Sequence, residues 1–173
     1  MSRRVRILGI DPGSRLTGFG VVELVSDKAR FIASGSVRTS DGEFPDRLRQ
    51  IFDAVASLVV EYEPHELAIE SVFVHKNAGS ALKLGHARAA ALCATFSGNL
   101  SVHEYAPREI KQAVTGTGNA SKEQVQHMVV ALLGLDGTPS ADAADALAAA
   151  LCHGHRRQID SRVGDVLSLG GSR

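Results

Sequence analysis

Hydrophobic and polar positions along this chain change period several times, and each change marks an element. Residues 5–10 form a short apolar run rich in β-branched side chains, which Asp11-Pro12-Gly13 stops, as in a buried central strand ending in a turn. Residues 18–25 and 30–37 read as strands, and the polar connection 26–29 is short enough for a hairpin, so three antiparallel neighbours are predicted. Across residues 45–63, Leu48, Ile51, Phe52, Val55, Leu58 and Val59 recur at helical spacing until Pro64 closes the stretch. Residues 67–72 predict the next strand, with Glu70 near its exit. The alanine- and leucine-rich stretch 80–96 is apolar on more than one face, as in a helix buried in the core or at a dimer contact, and 100–105 predicts a last strand. Ser121 and Gln124 have the capping-box spacing and open a helix through Leu133, while Ser140 caps a final helix from 141 to about 152. Beyond His155 the sequence turns polar and glycine-rich, so the pattern predicts a domain over 1–155 and a flexible tail over 156–173. The element order describes an α/β protein, a mixed sheet with helices on its faces.

Composition changes this picture little. The chain has 173 residues, 44% of them hydrophobic, enough for one domain with a single core. Lys plus Arg balance Asp plus Glu at 19 each, so any basic surface must be local. The N-terminal apolar run breaks before reaching signal-peptide length, and no segment is long and apolar enough to span a membrane. Cys93 and Cys152 lie in alanine-rich helical surroundings, which suggests buried, reduced thiols and a cytoplasmic protein with no membrane partner.

The chemistry-bearing positions are carboxylates. Asp142 and Asp145 are three apart on a predicted helix, so they share a face, and Ala141, Ala143, Ala144, Ala146 and Ala148 around them allow that helix to approach the sheet closely. Asp11 and Glu70 would rise from neighbouring strand ends. Alone, Asp11 before Pro-Gly reads as a turn residue and the Asp142/Asp145 pair as a helix-start charge pair; Glu70, inside an apolar strand, needs a reason. Gathered together, four carboxylates repel one another unless a cation is present, which fits a hard-metal site for Mg²⁺. Two such ions roughly 3.5–4 Å apart suit in-line hydrolysis of a phosphodiester.

Between residues 71 and 103 there is no Asp or Glu, whereas Lys76, Lys83, Arg88, His75, His86 and His103 all occur there, a local positive surface in a neutral protein. Phe73 sits at a strand exit beside these basic residues, placed to stack on a base, and reads equally as a core residue. Residues 115–122 lack the spacing of a Walker A loop and read as a flexible loop delivering Lys122 to a phosphate, or as a plain linker. Cys152-His153-Gly154-His155 suggests zinc ligands less than a helix end fraying at Gly154.

Four blocks carry a resemblance: residues 9–13 (GIDPG), 68–73 (AIESVF), 76–85 (KNAGSALKLG) and 141–148 (ADAADALA). In this order and spacing they resemble the RuvC Holliday junction resolvases, over about residues 5–155. The resemblance implies an RNase H-like fold, a mixed five-stranded sheet with the first three strands antiparallel and the remaining strands parallel to the first. It further implies a homodimer making paired symmetric nicks across a four-way DNA junction, with the RuvAB branch-migration complex as partner. The family's acidic residues fall on Asp11, Glu70, Asp142 and Asp145, as catalytic groups and metal ligands. Its DNA-contacting positions fall on Phe73 and on Lys111 and Lys122, the lysines being expected to steady the reacting phosphate. Lys76, Asn77, Ser80, Lys83, Arg88 and Arg108 are further expected DNA contacts. The expected cofactor is Mg²⁺, two ions per site, with Mn²⁺ as candidate substitute.

Two other readings compete. The segment 9–14 is similar to the first phosphate motif of the actin and sugar-kinase class, which needs two such domains clamped on nucleotide. A non-catalytic junction-binding protein would keep the fold without chemistry, and the complete carboxylate set argues against it.

Overall fold

The computed structural model describes residues 4–26, 28–71 and 77–170. Its centre is a five-stranded sheet of β1 (Val5–Asp11), β2 (Leu16–Val25), β3 (Lys28–Arg38), β4 (Glu66–Glu70) and β5 (Ser101–Tyr105), in the order β3-β2-β1-β4-β5. β1 pairs antiparallel with β2, and β2 with β3, while β4 and β5 run parallel to β1. The β2–β3 hairpin is tighter than the sequence pattern suggests: Val25 pairs with Lys28, and Ser26 takes a left-handed φ of 48° to close the turn.

Strand alternation sorts the side chains into two cores. Leu8, Ile10, Val21, Leu67 and Ile69 face α1 (Phe44–Tyr62) and α2 (Ala78–Cys93). Val5, Ile7, Val22, Leu24 and Ala68 face the other side, where α3 (Pro107–Thr115), α4 (Lys122–Leu133) and α5 (Ala141–Gly170) pack. On α1 the stripe Ile51, Val55, Leu58 and Val59 is buried, Phe52 stays 40% exposed, and Glu63 ends the helix in the left-handed region. Ser121 caps α4 as its spacing predicts, its Oγ accepting from the Gln124 amide at 3.2 Å and the Gln124 side chain accepting from the Ser121 amide at 2.8 Å.

The last helix does not stop near residue 152; α5 continues to Gly170. Gly154 is a contact point instead of a helix end: it is buried, and a Cβ there would meet the Leu24 side chain at 3.2 Å. The polar residues that follow are helix-compatible, with Arg157 reaching Glu66 and Arg156 pairing with Asp160 one turn on. Cys152 is buried as expected, but Cys93 is exposed on the outer side of α2. Among the described residues, no helix is long and apolar enough to cross a membrane.

Candidate active site

Pairing register decides which way the two strand carboxylates point. Ile7, Gly9 and Asp11 alternate toward α5, as do Glu66, Ala68 and Glu70. Ile10 pairs with Ile69 across the parallel β1–β4 ladder, so Asp11 and Glu70 stand one position further on, side by side at the strand ends. Thr17, 1% exposed, holds the turn after Asp11: its hydroxyl donates to the Gly13 carbonyl at 2.9 Å and accepts from the Gly13 amide at 3.3 Å.

α5 brings the other two carboxylates, and it does so by lying almost directly on backbone. A Cβ at Gly9 would fall 2.0 Å from the Ala146 carbonyl oxygen, and one at Gly18 would fall 2.0 Å from that of Asp142. A Cβ at Gly20 would meet the Leu147 side chain at 2.7 Å. Gly9 pairs with Gly20 and Asp11 with Gly18, so these glycines form one track across β1 and β2. Alanines at 143, 144, 146, 148, 149 and 150 are buried on the helix side. The alanines are evident in the sequence; the glycine track was missed, although Gly18 and Gly20 share the two-residue period that signals one strand face.

Asp142 and Asp145 thereby join Asp11 and Glu70 in one acidic pocket. Burial is the largest cause that raises the Asp11 carboxyl, to about 7, and the charges of Asp145, Glu70 and Asp142 add to it. Glu70 is likewise raised, first by burial and then by Asp145. Lys122 extends its ammonium to within 3.3 Å of Asp145 Oδ2, and that carboxylate is the main cause that raises the lysine. Lys111 partly offsets the charge on Glu70. Among the described residues, when all are ionised, four carboxylates against two lysines leave two negative charges uncompensated. An all-oxygen donor set with that deficit fits a hard divalent cation.

The structure treats the remaining candidates unequally. Arg88 does not extend to solvent: its Nε donates to the Glu70 carbonyl at 3.2 Å and its guanidinium meets Glu104 at 2.8 Å, so it ties α2 to the strand end beneath the pocket. The Asn77 side chain caps α2 by accepting from the Ser80 amide at 3.0 Å. Ser80 and Lys83 are exposed nearby. Arg108 packs along Gly118 in the loop before α4. Phe73 and Lys76 lie outside the described residues. Ser71, leading to them, is bound to the Tyr105 carbonyl through both its amide (2.9 Å) and its hydroxyl (3.1 Å).

The family model described as crossover junction endodeoxyribonuclease RuvC matches residues 7–153. A crossover junction endodeoxyribonuclease RuvC of Aeromonas hydrophila is 58% identical over 153 residues, 88% of each chain, and one of Aromatoleum aromaticum is 55% identical, covering 88% of this chain and 83% of its own. Thermus thermophilus RuvC, solved in complex with Holliday junction substrate, superposes with a TM-score of 0.84 at 35% identity, over 90% of this chain and 96% of that one. The fold is thus the RNase H-like fold of RuvC, and the chain belongs to the RuvC family of crossover junction endodeoxyribonucleases.

Proposed function

We propose that this chain resolves four-way DNA junctions by metal-dependent phosphodiester hydrolysis, as a homodimer that nicks two strands of like polarity. The observation that carries this reading is the acidic pocket, in which α5 presses Asp142 and Asp145 toward Asp11 and Glu70. Asp11, Glu70, Asp142 and Asp145 would hold Mg²⁺, two ions per site with Mn²⁺ as substitute, whose Lewis acidity would activate water and favour departure of the 3′ oxygen. The chain's own groups do the rest. The carboxylates, drawn from two strand ends and one helix, keep a fixed geometry because β1, β4 and α5 are all anchored in the core. Lys122, exposed and 3.3 Å from Asp145, is placed to swing its ammonium to a phosphate oxygen as charge develops there, and Lys111 supports it from the Glu70 side.

Junction DNA is held outside this pocket. Ser80 and Lys83, exposed near the amino-terminal end of α2, and Arg108 beside the loop before α4 provide phosphate contacts, with Asn77 shaping the helix end. Phe73 and Lys76 supply stacking and charge at the opened junction centre. Leu82, Gly85, Ala89, Cys93 and Phe96 are exposed along one side of α2 and its extension, with Leu82 and Phe96 each 62% exposed. That seam of coiled-coil spacing supports α2 as the dimer interface, which sets two active sites on two strands. The RuvAB branch-migration complex is the proposed partner.

The test is a synthetic four-way junction incubated with the protein in Mg²⁺, Mn²⁺ or EDTA. Paired, symmetric, metal-dependent nicks are expected; saturable junction binding without nicking in either metal would overturn the enzymatic reading.

A further inference from the structure

At the opposite end of the α5 interface lies a second cluster that phosphodiester cleavage does not use. Glu66 opens β4, His103 sits on β5 opposite Ala68, and His153 comes from α5. Each offers one ligand atom, and these atoms all lie within 4.8 Å of one another. His153 Nε2 and Glu66 Oε2 are 2.7 Å apart, and the two imidazoles stack with centroids 4.0 Å apart. His103 and His153 line a cleft of about 590 Å³, which gives an ion an entry path and room for a further ligand.

The outward-facing polar atoms are already held. Tyr105 Oη lies 2.7 Å from His153 Nδ1, Arg157 donates to Glu66 Oε1 at 2.5 Å, and His103 Nε2 meets Ser101 Oγ at 3.2 Å. Support of this kind fixes the tautomer and aim of metal ligands.

We propose that Glu66, His103 and His153 form a zinc-type metal site that is separate from the acidic pocket and clamps β4, β5 and α5 together. Two imidazoles and one carboxylate suit Zn²⁺ and its neighbours in the transition series, whereas Mg²⁺ favours the all-oxygen pocket. A tetrahedral zinc ion needs ligand atoms about 3.3 Å apart. Glu66 and His153 are already inside that separation, whereas the half-buried His103, stacked on His153, would have to turn its ring to aim a nitrogen at the shared ion. With the single proton of the neutral His153 ring on Nδ1, donating to Tyr105 Oη, the Nε2 lone pair and Glu66 Oε2 would both be free to take the ion. Arg157 remains on the other carboxylate oxygen.

The experiment uses full-length Asp11→Asn/Glu70→Gln protein, so that binding at the acidic pocket is suppressed, stripped with chelator and titrated with Zn²⁺ and with Co²⁺ in excess Mg²⁺. One saturable equivalent is expected, with visible absorption of tetrahedral Co²⁺ and a Zn²⁺-dependent rise in Tm. Adding His103→Ala or Glu66→Gln should weaken binding at least tenfold, and Tyr105→Phe about tenfold. No saturable Zn²⁺ binding in the parent, or unchanged affinity when Glu66→Gln and His103→Ala are each introduced into folded protein, overturns the proposal. Circular dichroism in EDTA identifies folded variants, and Glu66→Gln retains the side-chain shape should His103→Ala fail to fold.

Discussion

At one end of α5, Asp142 and Asp145 face Asp11 and Glu70, offset among the described residues by Lys122 and Lys111. At the other end, His153 lies between Glu66 and Tyr105 with both ring nitrogens partnered, and Arg157 answers the remaining oxygen of Glu66. The same helix, the same sheet face and the same strand β4 build both. They differ in satisfaction. The histidine end is hydrogen-bonded and locally balanced, so it can contribute to stability as it stands. The acidic end is unfavourable without an added cation, the electrostatic pattern of a site built to hold one.

That contrast breaks most sharply at Asp11. Asp11→Asn should lower the single-turnover cleavage rate by roughly 10³-fold or more while sparing junction affinity; equal loss of binding in a gel-shift assay would make Asp11 structural. The same variant should stabilise metal-free protein. An ordinary aspartate ionises at 3.8 and folded Asp11 at about 7, so between these values the folded state holds the extra proton. Its contribution to metal-free stability is therefore complete below about pH 4, falls as pH rises and is gone above about 7. Tm measured in EDTA from pH 5 to 8 should fall less steeply for Asp11→Asn than for the parent, at about 2–4 °C per kcal/mol for a chain of this size.

A second test moves the helix without touching a carboxylate. Gly18→Ala places a methyl group 2.0 Å from the Asp142 carbonyl oxygen, which must shift the start of α5. It should cost about 1–3 kcal/mol and slow cleavage by tenfold or more, with both effects read from denaturant melts and junction nicking. At the histidine end, His153→Ala should cost about 2–3 kcal/mol by stranding Glu66 and Tyr105, yet leave the cleavage rate of folded enzyme within about twofold. A large loss of rate there would mean the two ends are coupled. The smallest stability change belongs to Lys122→Ala: an exposed pair contributes about 0–1 kcal/mol, so the melt should hardly move. Single-turnover cleavage should nevertheless slow by ~10-fold or more if its ammonium serves the phosphate.

Much of the acidic end was legible in the sequence because local rules govern it. Asp11 follows an apolar run, Glu70 is anomalous within one, Asp142 and Asp145 share a helix face, and the Ser121/Gln124 cap is a three-residue pattern. The histidine end was not legible. Glu66 and His153 are 87 residues apart, Tyr105 and His153 are 48 apart, and no local period announces either pairing. Arg88 looked like a DNA-facing cation because its charge is visible in sequence, whereas its partners Glu70 and Glu104 are supplied by other elements. The polar stretch after His155 looked like a tail because its partner, Glu66, also lies far away in the chain.

Local pattern was enough for the five strands, for α1, α2 and α4, for the Ser121/Gln124 cap and for singling out the four carboxylates, since each depends on neighbours within a few turns; α3 and the full length of α5 carry no such signal. The tertiary structure alone decided the β1–β4 register that sets Asp11 beside Glu70, the glycine track that admits α5 and the unbroken course of that helix to Gly170. It alone also gathered Glu66, His103 and His153. These depend on close packing between distant segments, where backbone approach and shared partners are settled only once the whole core has formed.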